Sequence, residues 1–307
     1  MSLSNALGEV REARLSAGVV RYRERGSGDP VVFLHGLLVN GDLWRKVVPT
    51  IARTHRCITP DLPLGSHEAA CSPDADLSIA GVARLVAEFL AALDLRGATL
   101  VANDTGGAIA QVVVTEHPER VGRLVLTSCD AFDNFLPPIF RPLQLLAHVP
   151  PLLTAVVQPL RFRPLRRLPM AFGWLTKRPI EPAAIEDGYL RPFFSDAAVR
   201  RDCAKVLRSI SPSYTLRAAE KFGTFTRPVL VAWAADDRLF PVAYGRRLAA
   251  AFPHGRFEAI PDCYTFVSED QPERLADLVA RFLDTSLGGN AADREPGPGA
   301  APSDTRI

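Results

Sequence analysis

Four short apolar runs mark the chain at residues 31–34, 99–102, 124–126 and 229–233. Each is continuous rather than alternating, the pattern of a strand covered on both faces, and together they predict a parallel sheet. Between the first two runs, Val82, Val86, Phe89, Leu90 and Leu93 fall at helical spacing behind Asp76 and Ser78, which predicts a helix over 78–93. After the second, a helix over 106–116 is stopped by His117 and Pro118. Strand, helix, strand, helix implies right-handed crossovers and a doubly wound α/β fold.

From 131 to 213 the periodicity breaks. Ten prolines between Pro137 and Pro182 cut the segment into apolar pieces too short to form crossovers. The expectation is a helical cap at 131–213 over a core made of 1–130 and 214–285. Residues 286–307, rich in Gly, Pro and Ala, supply no packing face and read as a disordered tail. Within the cap, Arg161, Arg163, Arg166, Arg167, Lys177 and Arg178 alternate with Leu, Phe and Trp. Two readings are open: a basic lid over an anionic substrate, or arginines snorkelling on a solvated helical face.

Composition narrows the function classes. A chain of 307 residues, 47% hydrophobic and 23% charged, can bury a large core. The 36 basic residues nearly balance the 34 acidic ones, a net charge of +2, which gives no electrostatic reason to expect nucleic acid or a membrane as partner. A small-molecule substrate is the expected partner; the oligomeric state is open. Five scattered cysteines without C-x-x-C spacing argue against a disulfide framework or a metal site and fit a reducing, cytoplasmic setting. The first residues lack the apolar core of a signal peptide, and no apolar run reaches the roughly 18 residues of a membrane span.

The candidate chemistry sits where the second apolar run meets its helix. Asn103-Asp104-Thr105-Gly106-Gly107 has a strand before it and a helix after it, the context of a nucleophile elbow, with an aspartate at the centre. A helix N-cap is the blander role for Asp104. The first run ends in His35-Gly36-Leu37, whose backbone can turn toward the same sheet edge, so the Leu37 and Thr105 amides together could form an oxyanion hole.

With these residues in order, the sequence resembles the α/β-hydrolase superfamily over residues 10–282, in particular its aspartate-nucleophile branch of haloalkane dehalogenases and epoxide hydrolases. The resemblance is carried by His35-Gly36 with Trp44 downstream, Asp61-Leu62-Pro63 with Gly65-Ser66-His67, the elbow at Asp104, and Trp233-Ala234-Ala235-Asp236-Asp237 with Pro241. Ile260-Pro261-Asp262 before Glu269-Asp270-Gln271-Pro272-Glu273 completes it. It implies an α/β-hydrolase fold, mostly parallel and doubly wound, with a cap after the sixth strand. It also implies an acid after the seventh strand at Asp237, with Asp130 as the second possible position or a simple turn residue.

Departures from the pattern are equally specific. The resemblance puts a catalytic histidine after Ile260-Pro261-Asp262, and this chain reads Cys263-Tyr264-Thr265-Phe266. Threonine cannot accept a proton at neutral pH, so the usual base is missing. Thr105 offers no indole and Leu37 no side-chain amide for a halide. Of the six histidines, His67, on the loop after the Asp61 strand, is the expected substitute base. His35, Trp44, Tyr189 and Tyr214 are the expected substrate-binding side chains. The implied function is a cofactor-independent enzyme acting on a small apolar electrophile, an epoxide, ester or related compound, with Asp104 as nucleophile or base. A catalytically silent ligand-binding protein, or a lyase or isomerase, is the alternative.

Overall fold

A computed structural model describes residues 5–284. The expected tail at 286–307 lies outside them. The four apolar runs are strands β3 (Pro30–Leu34), β5 (Ala98–Asp104), β6 (Val121–Cys129) and β7 (Val229–Ala234), and they are buried at nearly every position. β1 (Glu9–Leu15), β2 (Gly18–Arg25), β4 (Arg56–Pro60) and β8 (Gly255–Ile260) complete an eight-stranded sheet in the order β1-β2-β4-β3-β5-β6-β7-β8. From β4 to β8 all neighbours run parallel, while β1 and β2 add an antiparallel edge. β1 and β8 alternate exposed with more buried positions over part of their length, the pattern of strands at a sheet border, which a search for continuous apolar runs passes over.

The helix after residue 78 spans Ile79–Ala92, and the Ser78 hydroxyl caps it by accepting from the Gly81 N–H at 3.0 Å. Helix Thr105–Glu116 follows β5 without a connecting residue. Between β6 and β7 lie short helical pieces, most with a proline in the first turn, until the proline-free helix Ala197–Ser209. Helix Pro212–Lys221 packs on Thr105–Glu116, so the expected border at 213/214 falls in the first turn of a helix that belongs to the layer beside the sheet. Among the described residues, no helix is long and apolar enough to cross a membrane.

Three hydrogen bonds, two of them to a carboxylate, tie the segment between β6 and β7 to the loop after β8. The Lys177 and Arg178 amides donate to Asp270 at 2.8 and 2.9 Å, and the Phe266 amide donates to the Leu175 carbonyl at 2.8 Å. Lys177 also pairs with Asp236 at 2.5 Å, and Arg178 with Asp262 at 2.5 Å.

The elbow depends on two glycines. A Cβ on Gly106 would stand 2.5 Å from the His35 carbonyl oxygen, and one on Gly107 would stand 2.3 Å from the Cys129 Cβ. The helix is therefore pressed against the ends of both β3 and β6. Gly106→Ala should cost about 1 to 3 kcal/mol of unfolding free energy, because backbone rather than a flexible side chain must yield. Urea unfolding measures this, and an unchanged midpoint would refute the close packing.

Candidate active site

Asp104 ends β5 with φ 54° and ψ −133°, a left-handed conformation that is strained for a non-glycine residue and throws the side chain off the sheet edge. One carboxylate oxygen accepts from the Thr105 amide and from the Thr105 hydroxyl, the latter at 2.9 Å. The Leu37 amide points at the same carboxylate. The two amides expected to form an oxyanion hole thus converge on Asp104 itself. Burial raises its pKa above the ordinary carboxylate value, and these three donors oppose the rise.

A second carboxyl adjoins the first. Asp130 is fully buried, and its Oδ2 lies 3.3 Å from the Thr105 hydroxyl oxygen. Thr105 has one hydroxyl proton and cannot donate to both aspartates. Burial, followed by the negative charge of Asp104, pushes the Asp130 pKa well up, and the Thr105 hydroxyl, nearer to Asp104, opposes that rise only in part. Gln111 secures the Asp130 carbonyl at 2.8 Å.

The third carboxyl is Asp237. Its Oδ1 accepts from the Leu239 and Phe240 amides at 2.8 and 2.9 Å and from the Thr265 hydroxyl at 3.0 Å. Burial raises its pKa to about 6 against those bonds. Asp236 instead lies outside, paired with Lys177. Thr265 is fully buried and faces Asp237 where the resemblance implied an imidazole.

Asn103 holds this arrangement together. Its amide nitrogen lies 3.0 Å from the Thr127 hydroxyl, 3.0 Å from the Ser128 carbonyl and 2.9 Å from the Thr265 carbonyl, linking the elbow to the ends of β6 and the loop after β8. Its only signal in the sequence is a polar side chain closing an apolar strand.

A cavity of about 80 Å³ opens over Asp104. Apart from Asp104 its lining is apolar: Leu37, Leu38 and Phe240 from the core side, and Leu136, Phe140, Leu143, Leu160, Met170 and Phe172 among the cap residues. The cavity is small against the roughly 300 Å³ or more of ordinary ligand sites, so a larger substrate must displace cap side chains.

Several expected participants are elsewhere. His67 does not line the cavity; its Nε2 faces Asp202 of the cap at 3.3 Å. His35 is buried as a strut, accepting from the Leu62 amide at 2.9 Å, and burial lowers its pKa to about 4. Trp44 packs on Phe33, Tyr189 on Phe172, and half-buried Tyr214 lies under Arg217; none reaches the cavity lining. Nor does the basic series form a lid there. Arg166 is buried on the Leu160 carbonyl and Glu186, while Lys177 and Arg178 serve the ion pairs described above.

One cluster carries metal-ligating atoms. Those of His67, Cys71 and Asp202 lie within 4.8 Å of one another. Arg201 donates to the other Asp202 oxygen at 2.7 and 2.9 Å, and burial pushes the Cys71 thiol up to about 12, so an ion would have to displace a thiol proton beside a guanidinium.

Comparison with known proteins agrees with this fold. Residues 29–272 match the family model for the alpha/beta hydrolase fold. A haloalkane dehalogenase of Mycobacterium tuberculosis is 27% identical, the match covering 87% of this chain and 92% of that protein. A 2-hydroxy-6-oxo-6-phenylhexa-2,4-dienoate hydrolase of Burkholderia cepacia is 25% identical over 89% and 94% of the two chains. The crystal structure of a haloalkane dehalogenase from Agrobacterium tumefaciens superposes with a TM-score of 0.75 at 24% identity, covering 91% of this chain and 98% of the other.

The raised Asp237 pKa has a consequence for stability. Its folded value, about 6, exceeds the unfolded value near 4, so the group stabilises the fold below about pH 4 and that contribution is lost as pH rises through about 6. Asp237→Asn, which keeps an oxygen for the amides, should flatten this pH dependence by up to about 3 kcal/mol. Urea midpoints across that range test it; an unchanged slope would show that Asp237 ionises as freely in the folded chain as in the unfolded one.

Proposed function

The chain belongs to the alpha/beta hydrolase fold family, a hydrolase by that membership, and from this premise we propose that it acts on a small apolar electrophile with Asp104 as nucleophile. The observation that carries the reading is the Asp104 carboxylate beneath an apolar cavity, with the Leu37 and Thr105 amides directed at it. A carboxylate facing an apolar cavity is less hydrated, and so a better nucleophile, than in water. No cofactor is needed, because the carboxylate supplies the electron pair.

In the first step an Asp104 oxygen bonds to the electrophilic carbon. The bond from that carbon to its leaving oxygen breaks, and the departing oxygen takes the pair and a proton from solvent. In the second step water attacks the Asp104 carbonyl carbon, and the Leu37 and Thr105 amides are placed to receive the negative charge on oxygen. Here an imidazole would remove the water proton, and Thr265 cannot. The ester therefore outlives the first step. The raised pKa of Asp130, which meets Asp104 through Thr105, disfavours a second negative charge beside the nucleophile.

Halide departure has poor support. Among the residues lining the cavity there is no indole, amide side chain, hydroxyl or cation, and each missing anion donor is worth roughly 3 kcal/mol. Simple haloalkanes should release little halide, as ion chromatography would record; rapid release would overturn this part of the reading.

Intact-mass analysis after incubation with a panel of epoxides and activated esters tests the nucleophile. The expected result is a mass increase that survives dialysis, maps to the Asp104 peptide and is absent from Asp104→Asn. Thr265→His should speed its release by about 10² to 10⁴, the usual contribution of a general base. Absence of any adduct together with absence of turnover would overturn the assignment in favour of a binding protein. Fast multiple turnover in the unmodified chain would overturn the role given to Thr265.

A further inference from the structure

Residues 134–180 contain seven basic side chains and no Asp or Glu, leaving twenty-nine basic against thirty-four acidic in the remainder. The whole-chain charge of +2 thus averages a strongly basic segment with an acidic remainder. The apolar surface is concentrated in the same place. Of the ten large hydrophobic side chains exposed among the described residues, eight lie between Leu145 and Met170.

Their arrangement is ordered. Val149, Leu152 and Val156 project from one side of helix Pro150–Val157, whose other side buries Leu153 and Val157. The next turns expose Phe162 at 61% alongside Leu165 and Leu168, interleaved with exposed Arg161, Arg163 and Arg167. Arg163 pairs with Glu186, while Arg141, Arg161 and Arg167 have no carboxylate within ion-pair distance among the described residues. Behind the helix, a cleft of about 470 Å³ is lined by Pro150, Thr154, Arg200, Arg201 and Arg208 and by no acidic residue. The exposed face also adjoins the site, since half-exposed Met170 is part of the cavity wall over Asp104.

We propose that this cap face docks on an anionic phospholipid surface, with its aliphatic side chains and Phe162 entering the headgroup boundary and its arginines meeting lipid phosphates. Apolar patches of this kind on a soluble fold mark interaction sites, and basic residues beside apolar ones suit an anionic interface. A second copy is a poor occupant, because a two-fold interface would set the basic segment against itself. A nucleic acid would satisfy the arginines and leave the aliphatic side chains in water. The net charge of +2 does not speak against this docking, because net charge is an average, whereas binding reads the local field. The docking stands independently of the role given to Asp104, and lipid at the cap would present apolar substrates at the cavity wall.

Sedimentation with vesicles of phosphatidylcholine alone, and of phosphatidylcholine mixed with phosphatidylglycerol, tests the proposal. Binding is expected to the mixed vesicles only, weakening as salt rises. Phe162→Glu and Leu152→Glu should each reduce partitioning at least about tenfold, and Arg161→Ser with Arg167→Ser about fivefold per arginine removed. The serine variants remove only the stacking of Arg161 over the half-buried Phe194 ring and the Arg167 bond to the Lys177 carbonyl, and leave the core intact, so they keep the test decisive if a glutamate variant misfolds by circular dichroism. No vesicle binding, equal binding to both compositions, or binding unaffected by these variants would overturn the proposal. So would a dimer in light scattering that Phe162→Glu abolishes, without lipid binding, which would assign the face to a second copy.

Discussion

The hard turn at Asp104 is the constraint on which the site depends. A left-handed backbone at an aspartate costs on the order of 1 to 3 kcal/mol, and it persists only where neighbours leave no alternative. Gly36, Gly106 and Gly107 let β3, the helix and β6 approach until no Cβ would fit, and Asn103 bonds across to β6 and to the loop carrying Thr265. The same turn aims the Thr105 amide and hydroxyl back at the carboxylate, so the strain and the donors opposing its protonation come from one feature.

Three carboxyls then share a water-poor region and are held differently. Three donors face Asp104 and three face Asp237, while Asp130 shares the Thr105 hydroxyl with Asp104 and its other oxygen has no hydrogen-bond partner among the described residues. Each donor offsets part of the cost of burial, and Asp130, with the fewest, is the one whose pKa burial pushes well up. Thr265, where the resemblance implied an imidazole, is bonded to Asp237. The threonine hydroxyl satisfies Asp237 and cannot carry a proton away from water.

The segment between β6 and β7 has an apolar inner surface over Asp104 and a basic, apolar outer one. Proline density explains both, since pieces of one or two turns have too little length to bury a full stripe and leave alternate side chains outside. Residues that looked available for substrate instead hold the molecule together: His67 latches loop to cap through Asp202, and Trp44 and Tyr189 fill the interior.

The sequence by itself determined the central strands, the two flanking helices, the elbow at Asp104 and the absence of histidine at 265, because these are local: apolar runs, glycine spacing and residue identity at a fixed offset. The border strands were not legible in it, since half-exposed strands lack a continuous apolar run. Tertiary structure alone decided which side chains face the cavity. Asp130 reaches Thr105 from the end of β6, and His67, Tyr189 and Tyr214 turn elsewhere, because a side chain's direction is set by packing against segments distant in the chain. The outward-facing basic and apolar cap surface is of the same kind: composition gave its charge an average, and folding gave it a place.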